Sequence, residues 1–92
     1  MTVIVRFRGP IAERITGGAM EIKVQDTVTV GELLSLLIGQ DSFLQTIWNS
    51  PTEIDRDSMI LCNEVDIGVT GGLSSSVKEG DVIMIVPLVH GG

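Results

Sequence analysis

The run Val82-Ile83-Met84-Ile85-Val86 constrains this chain more than any other feature of it. Successive side chains of a strand point to opposite faces, and here both faces receive only apolar residues, so the run belongs in the middle of a sheet with a neighbour on each side. Its five residues fall far short of the roughly 20 that a membrane-crossing helix needs. With 92 residues in all, the chain has surface enough to bury for one small core only, which makes 1–92 a single domain. Most of the remaining strands must therefore join the sheet built around this run.

Those strands are legible by period two. Over Thr2 to Arg8, Val3, Val5 and Phe7 share one face while Ile4, Arg6 and Arg8 share the other, the pattern of a strand with one buried side. Gly9-Pro10 interrupts it, and Gly17-Gly18 offers the positive-φ positions of a chain reversal. Met20, Ile22 and Val24 then alternate with Glu21 and Lys23, giving a second strand antiparallel to the first. Thr29-Val30-Gly31-Glu32 is a capping box. It opens a helix whose apolar stripe is Val30, Leu33, Leu34, Leu37 and Ile38, with Gly39 expected in the left-handed position that ends it. Ser42 to Trp48 reads as a second short helix closed by Asn49-Ser50-Pro51, and 52–58 as a loop. Met59 to Cys62 is a short strand turning at Asn63-Glu64, with its return over 65–67, and Gly68, Gly71 and Gly72 mark a loop. Lys78-Glu79-Gly80-Asp81 turns the chain into the final strand.

Strand, strand, helix, strand, short strand, strand is the order of an α+β domain of β-grasp type. It has a mixed sheet, the last strand beside and parallel to the first, and one main helix packed on one face. A ferredoxin-like arrangement is the minor alternative, in which the region 42–50 stands in for a second long helix.

Charge and residue inventory narrow the function. Six Lys and Arg against twelve Asp and Glu give a net charge of −6, the wrong sign for gripping a phosphate backbone or an anionic membrane. The start of the chain alternates instead of showing a basic patch followed by an apolar block, and one cysteine makes no internal disulfide, so a cytoplasmic setting is expected. One His, one Cys and no Tyr supply neither a metal-ligand cluster nor a catalytic set. The expectation is a protein that is not itself an enzyme, with no metal and no bound cofactor. Cys62, in an apolar strand, is expected in the core rather than as a reactive thiol, and Phe43 and Trp48 as packing residues.

What remains is the end of the chain, Pro87-Leu88-Val89-His90-Gly91-Gly92. Pro87 cannot donate to a sheet ladder and is expected to end the strand, so 87–92 reads as an extended, flexible tail reaching some 15 Å beyond the sheet. Gly91 and Gly92 leave no Cβ to obstruct a narrow channel. A free carboxylate is a poor electrophile, so a chain that used it chemically would need a partner to convert it, with ATP, to an acyl-adenylate. A sulfur donor would then make a thiocarboxylate, or an amine an amide.

Met59-Ile60-Leu61-Cys62-Asn63, Gly71-Gly72-Leu73, the stretch from Lys78 to Pro87 and the Gly91-Gly92 end together resemble the ubiquitin-like sulfur carriers, most closely the small subunit of molybdopterin synthase. Relatives in that group are the carriers for thiamine, cysteine and tRNA thiolation and the small archaeal protein modifiers. The resemblance implies a Gly92 carboxylate adenylated by a ubiquitin-activating-type enzyme and held as a thiocarboxylate that donates sulfur to a pterin precursor of the molybdenum cofactor. It implies as partners an ATP-dependent adenylating enzyme, a larger catalytic subunit and a sulfur-donor protein. The alternative outcomes are sulfur delivery to thiamine, cysteine or tRNA, or conjugation through Gly92 to lysines. His90, in place of the usual small residue, and a single proline where the family often has two, depart from the family pattern.

The partner surface follows from facing. One helix covers one face of the sheet, so one side of the final strand stays open. Ile83 and Ile85, stiff and β-branched, are assigned inward. Met84 and Val86 are assigned outward with Ile4 and Leu61, and Pro87, Leu88, Val89 and His90 continue this surface into the tail.

Overall fold

The computed structural model describes residues 1–88. It contains a five-stranded mixed sheet and a two-stranded one. β1 (Thr2–Phe7) and β2 (Ala19–Lys23) run antiparallel, with Val3 opposite Ile22. β3 (Val28–Thr29) leads into helix α1 (Val30–Gly39), followed by α2 (Ser42–Ile47) and α3 (Pro51–Asp57). β4 (Ser58–Cys62) and β5 (Val65–Asp66) form a hairpin, α4 (Ile67–Thr70) is a single turn, and β6 (Ser76–Val77) precedes β7 (Val82–Pro87). The large sheet has the order β2-β1-β7-β4-β5. β7 lies parallel to β1 and antiparallel to β4, the central position that its two apolar faces require.

The core lies between this sheet and α1. Val3, Val5, Phe7, Ile22, Ile60, Ile83 and Ile85 meet Val30, Leu33, Leu34, Leu37 and Ile38, all buried. The capping box forms as its sequence dictates: Glu32 N–H donates to Thr29 Oγ1 at 3.1 Å, and Thr29 N–H to Glu32 Oε1 at 2.9 Å. Leu44, Trp48 and Ile54 extend the core under α2 and α3, and Phe43 packs at its margin beneath the Arg14 guanidinium, 4.4 Å from the ring centroid.

Several expectations are corrected. Residues 51–57 are helix, not loop: Pro51 occupies the first turn, and the one buried residue, Ile54, is too little periodic signal to read from sequence. Gly39 is not left-handed, because Asp41 caps α2 at once, accepting from Leu44 N–H at 2.9 Å, and α1 closes on Gln40 with ordinary φ. Ile67, placed in the hairpin return, begins α4 instead, where the Asp66 carboxylate accepts from Gly68 N–H at 2.8 Å. The small β3–β6 sheet, joining Val28 to Val77, carries too few residues to show any alternation. Pro87 ends the strand as expected, but as the last residue of β7, opposite Ser58, and not as the first of the tail; its missing N–H costs no ladder bond there.

Candidate functional site: the open sheet face and the root of the tail

Alternation along three adjacent strands assembles the site. Ile83 and Ile85 are fully buried at 0% exposure under α1, while Val82, Met84 and Val86 on the other side of β7 are only half-buried. Register places Arg6 of β1 and Leu61 of β4 on either side of Met84, Ile4 beside Val82, and Met59 opposite Val86. Ile4, Leu61, Met84 and Val86 therefore form one contiguous surface, as their facing predicts. Met59, 38% exposed, and Val82 enlarge it, and Arg6 supplies a cation at its edge. The period-two rule that selected Leu61 also selects Met59, and the rule that put Ile4 outward puts Arg6 there too. Arg6, Leu61, Asn63, Glu64, Val82 and Met84 line a shallow concavity of about 370 Å³ on this face. A larger concavity of about 680 Å³, beside α1 and the end of β2, includes Lys23, Val28, Glu32 and Leu36 and gathers none of the expected site residues.

Both ends of β7 are held. At its start, Asp81 accepts from Lys78 N–H at 2.8 Å and from Asn63 Nδ2 at 2.9 Å, while Asn63 Oδ1 accepts from Val82 N–H at 3.0 Å. At its end, Leu88 N–H donates to the Asp57 carbonyl at 3.0 Å, and the Leu88 side chain is 48% exposed. By alternation Pro87 falls with Ile83 and Ile85 on the covered side of β7, opposite the buried Ser58, so it does not extend the open face. Val89, His90, Gly91 and Gly92 lie outside the described residues.

Cys62 is only half-buried, not fully enclosed as expected, because it sits at the end of β4 where the sheet meets the Asp81 turn. Its Sγ lies 3.6 Å from Asp81 Oδ2. Burial pushes the thiol up from its ordinary pKa, and the neighbouring Asp81 carboxylate adds to the shift. A thiol held protonated is a poor nucleophile and a poor sulfur acceptor. Among the described residues no group of three or more His, Cys, Asp and Glu is placed to hold a metal ion. Nor is any helix among them long and apolar enough to cross a membrane.

The family model of the ThiS family matches residues 5–92, nearly the whole chain and including its last two glycines. The chain belongs to the ThiS family of ubiquitin-like sulfur carriers. This ThiS-family chain is similar to the sulfur carrier protein CysO of Mycobacterium tuberculosis, 36% identical over 44 residues, 48% of this chain and 47% of that protein. The aligned stretch thus spans about half the length of the curated relatives it matches. Subunit 1 of the molybdopterin-converting factor of Helicobacter pylori, solved in complex with subunit 2, is similar over 100% of both chains at 30% identity and a TM-score of 0.63. CysO of Amycolatopsis orientalis in complex with BexX gives 27% identity and a TM-score of 0.69 over 98% of this chain and 99% of that one. SAMP1 of Haloferax volcanii, at 22% identity, a TM-score of 0.79 and full coverage of both chains, shares the fold. The β-grasp architecture read from the order of elements is the architecture of these ubiquitin-like neighbours.

Proposed function

We propose that this chain works through its Gly92 carboxylate, as a sulfur carrier for molybdopterin synthesis. The supporting observation is the ThiS-family match that runs to residue 92, so that Gly91 and Gly92 fall within it. In the first step a carboxylate oxygen attacks the α-phosphorus of ATP held by an activating enzyme; pyrophosphate leaves and an acyl-adenylate remains. Hydrosulfide from a sulfur donor then attacks the acyl carbon, AMP departs with the bonding pair, a proton goes to solvent, and the carbonyl keeps the sulfur as a thiocarboxylate. Two glycines without Cβ atoms let this slim end enter a partner's active site.

In this reading the carrier contributes the sulfur atom and a docking surface, and the catalytic groups belong to its partners. Ile4, Leu61, Met84 and Val86, joined by the exposed Leu88, form that surface, and contacts of Pro87, Val89 and His90 with the partner belong to the same proposal. The surface is used first by the adenylating enzyme and then by the larger subunit that presents the pterin precursor. Apolar area at the centre of such a patch dominates affinity, so the sheet face rather than the tail supplies most of the binding.

A second reading is sulfur delivery to a different acceptor, in thiamine, cysteine or tRNA thiolation. Similarity to CysO favours it.

ATP–pyrophosphate exchange with the activating enzyme encoded in the same genome tests the proposal. The full chain should support exchange, and deletion of Gly92 should abolish it while the circular dichroism spectrum is unchanged. Exchange that survives the deletion would overturn the role of the terminal carboxylate. Lysine-linked conjugates in cells, in place of a thiocarboxylate, would assign the chain to protein modification.

A further inference from the structure

The end of β7 is gripped from two sides by residues that the docking face does not use. On one side is Gly9, immediately after β1 and its neighbour Arg8, whose N–H donates to the Ile85 carbonyl at 3.0 Å. Gly9 has φ 78° and ψ −165°, a conformation essentially reserved for glycine. A Cβ at this position would lie 3.1 Å from Pro87 Cγ and 3.5 Å from Cδ, so the proline ring rests against bare backbone. On the other side, Ser58 is the register partner of Pro87, and the Asp57 carbonyl accepts from Leu88 N–H at 3.0 Å. Asp57 is itself fixed. Its carboxylate accepts from the Trp48 indole Nε1 at 3.3 Å and from the Arg56 guanidinium at 2.7 and 3.0 Å.

We propose that Gly9 and the Asp57 carbonyl form a seat for Pro87 and Leu88 that sets the direction in which the terminal residues leave the domain. Gly9 and Asp57 are then positioning residues for activation of the terminal carboxylate, an inference that rests on the reading of Gly92 as the reacting group. The proline ring fixes its own φ, and the Leu88 bond fixes the next residue, so two successive directions are set where the sheet ends. Beyond Leu88 stand residues 89–92; at up to ~3.5 Å each they span at most roughly 14 Å, so a displaced root shifts the region that the carboxylate can reach. An unseated root would also free Pro87 and Leu88, two residues that would then have to be ordered when a partner binds.

The test uses the full chain, the activating enzyme and ATP. Gly9→Ala drives a methyl group against the Pro87 ring, and Pro87→Ala empties the seat from the other side. Each should lower hydrogen-exchange protection at the Leu88 amide by about fivefold or more. Each should also lower kcat/KM for ATP–pyrophosphate exchange by about three- to tenfold. The double variant should fall little below the worse single one, because all of them remove the same seat. Ile22→Val takes a methyl from the core far from the seat and lowers stability alone; its kcat/KM should match that of the wild type. If Gly9→Ala does not fold, Pro87→Ala, which leaves β1 untouched, still decides between the outcomes. Lost Leu88 protection with unchanged kcat/KM, or effects at the two positions that simply multiply, would overturn the proposal. A wild-type chain that supports no exchange, with Leu88 still protected, would instead remove the reading of Gly92, and the seat would stand as architecture without that use.

Discussion

The two faces of β7 are built from nearly the same chemistry and sit in opposite environments. Ile83 and Ile85 are sealed at 0% exposure between the sheet and α1, whereas Met84 and Val86, one residue away in sequence, stay half-exposed among the described residues. Hydrophobicity does not separate the two sets. What separates them is topology: a chain with one main helix can cover one face only, and the β-branched isoleucines lie under it. The uncovered face keeps the adaptable methionine, flanked by Leu61 on β4 and Arg6 on β1.

The largest effect that could break this comparison is a charge on the sealed face. Ile85→Asp should cost about 5 kcal/mol or more, most or all of the stability of a domain this size, and leave an unfolded chain by circular dichroism. Met84→Asp should cost less than ~1 kcal/mol of stability, because its carboxylate stays in water, yet weaken binding to the activating enzyme by about 2 kcal/mol, roughly thirtyfold, by calorimetry. A folded Ile85→Asp beside an unfolded Met84→Asp would reverse the facing. Thr29→Ala removes the cap of the covering helix and should lower stability by about 1 kcal/mol in urea unfolding. Partner affinity should stay as it was, since α1 touches only the sealed side.

The smallest expected effect is at the rim between the faces. Cys62 binds its proton more tightly in the folded chain than in the unfolded one, through burial first and the Asp81 carboxylate second. Its alkylation by iodoacetamide near pH 8.5 should therefore run slower than that of an exposed thiol, with the rate–pH profile displaced to the alkaline side. Asp81→Asn keeps an acceptor but removes the like charge, and should move the profile part of the way back. The sign for stability follows: this contribution is intact below the thiol's unfolded pKa and is lost as pH rises through the folded one.

Strong local patterns carried over into the structure. The alternation of Val3, Val5 and Phe7, the Thr29–Glu32 box, the stripe through Leu37 and the doubly apolar β7 each belong to one element with many concordant residues, and each formed as read. The failures share a different physics. α3 has a single buried anchor in Ile54, β3 and β6 have two residues each, and Gly39 lost its expected left-handed role to the cap of the next helix at Asp41. Elements this short are fixed by their tertiary neighbours and leave little periodic trace. The site divides along the same line. Its apolar face was visible in the alternation of β1, β4 and β7. The contacts of Gly9 and Asp57 with Pro87 and Leu88 were not, because they join residues that are distant in sequence and depend on backbone conformation and a carbonyl.

Mass spectrometry of the intact chain tests the central claim most directly. After incubation with the activating enzyme, ATP and sulfide, the full-length protein should gain about 16 Da, one oxygen replaced by sulfur, and the fragment carrying Gly92 should hold the whole increment. An unchanged mass under conditions where the enzyme turns over ATP, or a gain located at Cys62 instead of Gly92, would contradict it.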